Sequence, residues 1–293
     1  MRDDLFQKLR NKRLEAFKIF KDPDYSGVFD FIKDLYKKKA HFIYELLQNA
    51  DDAKATRVRF VLHSDRLIFI HNGTEKFSIS DVDSTSKEKG HINSITSIGA
   101  STKSGKISDE DLKIGKFGIG FKSVFSFTNT PEIYDDEFCF KIVDYIVPEF
   151  LSSDHTGRKS SETVFVFPFN NDDKPKHIAY EEIKSELLSL KHPLLFLNNI
   201  VLIEWQYPGM SGSYSLKYDQ ASSEQIGDAE YRFFTETQIS DNHVLKQGIK
   251  ISRYIKDDAK NSHKYSLVFF LRDRSIDYSE SFNAYCYFKT EVN

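Results

Sequence analysis

Cysteine is scarce in this chain. Only Cys139 and Cys286 occur, far apart and without CxxC spacing, which argues against a zinc site or a disulfide framework and for a reducing compartment. Both read as small core residues. Long hydrophobic runs are also missing. The opening MRDDLFQKLR lacks the apolar stretch of a secretory leader, and nothing approaches the roughly 20 apolar residues a membrane helix needs. These absences predict a cytoplasmic protein with no membrane partner. Charge of one sign is lacking too: the formal net charge is -3, which gives no support for autonomous nucleic-acid binding, where phosphate contacts need clustered Lys and Arg. There is no internal repeat and no low-complexity tract.

What is present is ordinary globular material. The 293 residues are 40% hydrophobic and 29% charged, enough for one large or two modest cores. Leu5, Leu9, Leu14, Phe17 and Phe20 recur at helical spacing and predict an amphipathic helix over 3–20, ended by Pro23 and Gly27. A second helical run covers 29–53, with a break near 37–40. Alternation then predicts a hairpin, 57–60 and 67–70, turning at 63–66 and closing on His71-Asn72-Gly73. The polar stretch from 84 to 113 lacks periodicity and reads as a functional loop. A glycine turn runs into a helix after 115, followed by strands near 132–134, 138–143 and 163–169. The composition shift at 170–176 predicts a domain boundary. Beyond it lie a helix near 180–190 and strands near 200–206, 214–218, 231–235 and 266–271, with 211–227 loop-like. The last residues, NAYCYFKTEVN, still read as strand, as of a chain that stops inside a domain.

Two motifs carry chemistry. In Glu45-Leu-Leu-Gln-Asn49-Ala-Asp-Asp52, Glu45 and Asn49 are one helical turn apart on one face, and Asp52 follows almost a turn later. A carboxylate beside an amide oxygen suits metal-assisted hydrolysis, since Mg²⁺ takes a few oxygen ligands and a carboxylate can take the proton of the attacking water. An isolated E-x-x-x-N is far more often a solvated helix face, so a second motif has to carry the weight. It is Gly115-Lys-Phe117-Gly118-Ile119-Gly120-Phe121-Lys122-Ser123, where glycines permit close backbone approach before a helix N-terminus aims amides at an anion. A Walker loop is excluded because Phe121 stands where its Lys is required, and the dinucleotide pattern fails at Ser123.

In their order, Glu45-x-x-x-Asn49, an Asn-Gly after a strand, a long polar segment and Gly115-x-x-Gly118-x-Gly120 resemble the GHKL ATPases. That family includes heat-shock-ninety chaperones, gyrase-type topoisomerases, mismatch-repair MutL and sensor histidine kinases. ELLQNADDA, SIGASTK, TVFVFPF and LLFLNNI resemble the sacsin type, strongly across 41–169 and more weakly beyond. The resemblance implies an α/β (α+β two-layer) Bergerat fold, with helices on one face of a mixed sheet. It would span 1–172, with an N-terminal helical arm and a lid at 84–114, followed by a second α/β domain over 173–293, transducer-like or middle-domain-like.

By the same resemblance Glu45 is the general base, and Asn49 holds Mg²⁺. Asp52, Asn72, Gly73, Gly115, Phe117, Gly118, Ile119, Gly120 and Phe121 line the ATP site. Thr163 lies at the floor of the adenine pocket, and Ile98, Gly99, Ser101, Thr102 and Lys103 belong to the lid. Lys103 and Lys122 add positive charge near the phosphates. One position departs from the family: His71 stands where an Asp normally accepts the adenine amino proton. Either Asp52 or a water takes over that contact, or the base is read loosely, or His71 merely ends a strand.

The implied function is an ATP-hydrolysing conformational switch using ATP and Mg²⁺, with lid closure coupled to dimer or interdomain contacts, ATP/ADP as its ligands, a nucleotide-dependent homodimer and an unidentified client or nucleic-acid effector. The alternatives are a non-hydrolysing nucleotide sensor and a phosphotransfer kinase. The kinase is disfavoured because Glu45 stands where such kinases carry Asn, and the helix over 3–20 has no phospho-acceptor His. A Lys from the following domain often completes the site, and Lys246, Lys250 and Lys289 are candidates.

Overall fold

The computed structural model describes residues 2–22, 24, 42–83, 89–97, 119–221, 223–240, 243–258 and 261–278. They form a mixed α/β fold with a large sheet and a few helices. The chain packs as two compact units, 1–190 with 204–211, and 191–203 with 212–293. No described helix is long and apolar enough to cross a membrane.

In the first unit, β1 (Arg57–His63), β2 (Arg66–His71), β3 (Glu132–Tyr134), β4 (Cys139–Val143), β5 (Val147–Phe150) and β6 (Thr163–Pro168) pair antiparallel in the spatial order β1-β2-β6-β3-β4-β5. Directly opposed residues share a face, so the register lays one row across the sheet: Phe60, Phe69, Phe165, Ile133, Phe140 and Phe150. One step along the strands, Val58, His71 and Thr163 continue the same face. The opposite face carries Tyr134, Val164 and Val166, with Ile68, Ile70, Cys139 and Leu151 packed on them.

Helix α1 (Arg2–Phe20) realises the helix expected over 3–20. Its Phe6 ring stacks on Phe150 at 3.8 Å between centroids and meets Phe140 edge-on at 6.0 Å, which fixes the helix over the β4–β5 end. Of the run 29–53, the described part is α2 (Phe42–Asp52); 29–41 lies outside the described residues. A short α3 (His91–Ile95) falls within the stretch read as loop. The glycine motif leads into a single turn, α4 (Ile119–Lys122), continued as a 3₁₀ turn over Ser123–Ser126. Helix α5 (Lys176–Ser189) buries Ala179, Ile183 and Leu187, and packs against β1.

Strand β7 (Leu202–Tyr207) falls where a strand was expected near 200–206. The second unit is an antiparallel sheet in which β10 (Ala229–Ile239) lies between β8 (Met210–Tyr218) and β11 (His243–Asp258), and β12 (Asn261–Arg272) follows. A short β9 (Glu224–Ile226) pairs with β10, and β13 (Ser275–Ile276) with β12. Three expectations need correction here. The strand expected at 214–218 starts earlier, at 210, residues 224–226 are strand rather than loop, and β11 was not anticipated. The cause is an inverted pattern: the buried side of this sheet carries Glu236, Gly248, Lys250 and Ser252, while Phe233, Leu245 and Leu267 are exposed.

Candidate nucleotide site

Helix α2 separates its residues cleanly. Phe42, Ile43, Leu46, Leu47 and Ala50 are buried and hold the helix down, which leaves Glu45 and Asn49 half-buried on the other face. Among the described residues neither side chain makes a hydrogen bond or an ion pair. Burial pushes the Glu45 carboxyl above its ordinary range, because the charged form loses hydration without gaining a partner. A desolvated, uncommitted carboxylate one turn from an uncommitted amide can take a proton from a water and offer an oxygen to a hard cation. Asp52 is exposed at the end of the helix, next to Asp51, which is buried.

The helix of the first motif meets the described end of the second. Helix α2 packs against α4, and the Phe42 ring lies 4.8 Å from that of Phe127, just past the 3₁₀ turn. Of Ile119 and Gly120 only the backbone is described. Ile98, Gly99, Ser101, Thr102, Lys103, Gly115, Phe117 and Gly118 lie outside the described residues. Phe121 is buried against Phe165 and Phe167, with centroids 6.1 and 6.3 Å away, and thereby ties the start of the helix to the sheet.

The His71-Asn72-Gly73 turn abuts the end of α2. A Cβ on Gly73 would lie 2.7 Å from the Ala53 carbonyl oxygen and 2.8 Å from His71 Nδ1, so only glycine permits this approach. The Ala53 carbonyl accepts the Glu75 N–H at 3.2 Å. Asn72 is committed to holding the turn: its Oδ1 accepts the N–H groups of Thr56 and Arg57 at 3.0 and 2.9 Å, and its Nδ2 donates to Thr56 Oγ1 at 2.9 Å. Its amide therefore serves the local backbone.

His71 is 5% exposed and accepts the Gly73 N–H on Nδ1 at 3.0 Å. Burial, with the Lys76 ammonium adding repulsion, holds its pKa at about 3, so the ring is neutral at physiological pH. Opposite it in register stands Thr163, 1% exposed, whose Oγ1 is buried without a hydrogen-bond partner. A buried hydroxyl left unpaired is costly, so this one is free to engage a further polar group.

Lys122 is placed differently from the expectation. It is 0% exposed, its Nζ donates to the Tyr145 carbonyl, and burial together with Arg13 lowers its pKa to about 7. Its ammonium is thus turned into the fold, where it fixes the chain around the left-handed residues Asp144 and Tyr145. Among the candidate lysines of the later chain, Lys250 is buried and donates to Leu195 O at 2.5 Å, and Lys246 lies over the Phe270 ring at 5.2 Å. Lys289 is outside the described residues.

Three contributors were missed by sequence reasoning. Lys76 Nζ donates to Gly73 O at 3.1 Å and Ser161 O at 2.6 Å, which ties the turn after His71 to the residues before Thr163. Arg13 of α1 donates to Asn93 O at 2.9 Å and Thr96 Oγ1 at 3.3 Å, and Lys12 to Val82 O at 2.9 Å, so the arm holds the segment around α3. None of the three has a sequence signature, since an isolated Lys or Arg on an amphipathic helix or after a turn reads as solvated.

Comparison with known proteins agrees with the sacsin-type resemblance. The Sacsin domain family matches residues 28–162. The chain is 32% identical over 209 residues to Protein NO VEIN of Arabidopsis thaliana, covering 59% of this chain and 7% of that protein. It is 34% identical over 118 residues to Sacsin of Homo sapiens, covering 36% of this chain and 2% of that one. It is 31% identical over 116 residues to Chaperone protein HtpG of Shewanella frigidimarina, covering 32% and 17%. The chain thus spans only a small part of the length of each relative.

Proposed function

We propose that residues 28–162, which match the Sacsin domain family, form a nucleotide-binding domain of the GHKL type, and that the chain binds ATP with Mg²⁺ and hydrolyses it slowly, as a conformational switch. The observation that carries this reading is the pair Glu45 and Asn49: half-buried, one turn apart and uncommitted, on a helix that packs against the start of the glycine-motif helix. Glu45 holds its carboxylate in a partly desolvated place and takes the proton of the attacking water. Asn49 offers its side-chain oxygen to the metal. The chemistry supplied by Mg²⁺ when bound is neutralisation of phosphate charge. The orphaned Thr163 hydroxyl, on the same sheet face as His71, fits the floor of a base pocket.

In this reading the first domain is a Bergerat fold over 1–172 with a lid at 84–114, and 173–293 is a transducer-like or middle-domain-like partner. Nucleotide-dependent dimerisation and an as yet unidentified client complete the switch, in keeping with the chaperone-like relatives. Nucleotide binding and phosphate release, measured with Mg²⁺ for the parent chain and for Glu45→Ala, test it. Retained binding with turnover abolished in the variant supports the hydrolytic switch. Unchanged turnover would remove Glu45 from the chemistry, and binding without turnover in the parent would leave a sensor.

A further inference from the structure

Helix α1 reaches the candidate site through one side chain. Arg13 donates from Nη2 to Asn93 O at 2.9 Å and from Nε to Thr96 Oγ1 at 3.3 Å, so its planar fork holds α3 and the residue that ends it. Helix α3 packs against α4, and α4 packs against α2, which carries Glu45 and Asn49. The Arg13 charge also acts on the Lys122 ammonium at the end of α4, whose Nζ donates to the Tyr145 carbonyl. Tyr145 packs on the cluster of Phe17, Ile146 and Val147, with Leu14 and Phe20 of α1 beside it. Arg13 thus meets α4 by two routes, through α3 and through Lys122. Both cations are desolvated, and among the described residues their acceptors are the neutral oxygens of Asn93, Thr96 and Tyr145. Solvent therefore screens their repulsion only weakly.

We infer that Arg13 is a positioning residue of the nucleotide site, coupling the docking of α1 to nucleotide occupancy at α4 through its hold on α3 and its charge beside Lys122. The inference rests on the nucleotide-binding reading above and concerns only what α1 does to that site. Its sign follows from charge. A polyphosphate at the start of α4 brings negative charge towards two cations that repel each other, which stabilises both where they stand and tightens the hold of Arg13 on α3. Coupling free energies are reciprocal, so the factor by which nucleotide strengthens the docking of α1 is the factor by which Arg13 strengthens nucleotide binding. The run α1, α3, α4, α2 is contiguous, as energetic coupling carried by packed elements requires. Arg10, one turn earlier on the same helix, pairs instead with Glu149 of β5 at 3.5 Å, a contact of α1 that bypasses α3 and α4.

The test is amide exchange over 9–17 of α1, with and without ATP and Mg²⁺, together with ATP titration. It uses the whole chain and its Arg13→Ala, Arg13→Lys and Arg10→Ala variants, each well below its Tm. In the parent, nucleotide is expected to slow exchange over 9–17 roughly fivefold, the low end of coupling between linked sites. Arg13→Ala loses this response and binds ATP roughly fivefold more weakly. Arg13→Lys, which keeps the charge but not the fork, retains part of both. Arg10→Ala quickens exchange in α1 yet keeps the nucleotide response and the parental affinity. A merely structural Arg13 would lower Tm on removal and leave the nucleotide response unchanged. If Arg13→Ala does not fold, the parent response and the lysine variant still decide. ATP binding without any change in α1, a response that survives in Arg13→Ala, or one lost equally in Arg10→Ala overturns the inference and leaves the nucleotide site standing. No ATP binding in the parent removes the nucleotide reading itself, and the inference with it.

Discussion

Replacing Gly73 by alanine tests the close approach on which the site's geometry depends. The backbone of Gly73 is not in the left-handed region, so glycine is required there by space alone. An added Cβ falls 2.7 Å from Ala53 O, 2.8 Å from His71 Nδ1 and 3.0 Å from Ala53 Cβ, and the first of these is backbone that cannot swing away. Overpacking of this kind costs about 1–3 kcal/mol. Against it stands about 0.4–1 kcal/mol from the stiffer unfolded chain. The net loss of about 1–2 kcal/mol corresponds to a fall in Tm of about 2–8 °C for a unit of this size. Relief by backbone shift moves the end of α2 away from His71, so nucleotide affinity falls as well. Gly157→Ala is the control: its φ of +85° makes alanine unfavourable, but nothing lies within 4 Å of the new Cβ, so stability drops without an effect on binding. Differential scanning calorimetry and nucleotide titration of both variants decide the matter. A Gly73→Ala protein with parental Tm and parental affinity would show that the turn does not abut α2 as described.

Further outcomes are expected. Glu45→Gln should reduce turnover by roughly a hundredfold or more while raising Tm at neutral pH, because it removes a partly buried carboxylate that has no partner; a fall in Tm would show that the carboxylate is stabilised there. Lys122 has its folded pKa depressed from 10.5 to about 7, so the folded state binds fewer protons than the unfolded one between these values. Its contribution is complete above pH 10.5 and is lost at up to about 1.4 kcal/mol per pH unit as pH falls towards 7. Lys122→Met should therefore flatten the rise in stability from pH 7 to 10 seen in denaturant titrations, and an unchanged slope would count against the buried ammonium. His71, depressed from 6.5 to about 3, behaves in the same sense in acid: stability is lost as pH falls from 6.5 towards 3, and His71→Gln should remove that part of the acid slope. Arg13→Ala breaks two hydrogen bonds to α3 and its end, so amide exchange over 91–97 should quicken by tenfold or more, and protection left intact would show that the arm does not hold this segment.

Where apolar residues face inwards at a regular period, the fold could be read from the chain. Leu9 and Phe17 in α1, and Phe60, Leu67 and Phe69 in the first hairpin, are buried on the faces that their spacing assigns. Strand β11 defeats the same rule because its side chains are sorted the other way. Gly248, Lys250 and Ser252 point inwards and are satisfied by local partners: Lys250 by Leu195 O, and Ser252 by Ser266 Oγ at 2.8 Å. Period-two alternation identifies a strand only when burial and hydrophobicity coincide, and a hydrogen-bonded interior breaks that link. The candidate site divides along the same line. An i, i+4 pair is set by helix geometry, so the shared face of Glu45 and Asn49 was visible in the sequence. The direction of a side chain at the end of a turn is set by tertiary contacts. Lys122 turned inwards to Tyr145, Asn72 spent on Thr56 and Arg57, and the Nδ1 contact of His71 all depend on backbone brought in from elsewhere. The last of these has the widest chemical consequence. In sequence His71 reads as a neutral ring that can accept one hydrogen bond; in the structure that capacity is spent on the Gly73 N–H, which leaves the ring proton on the other nitrogen.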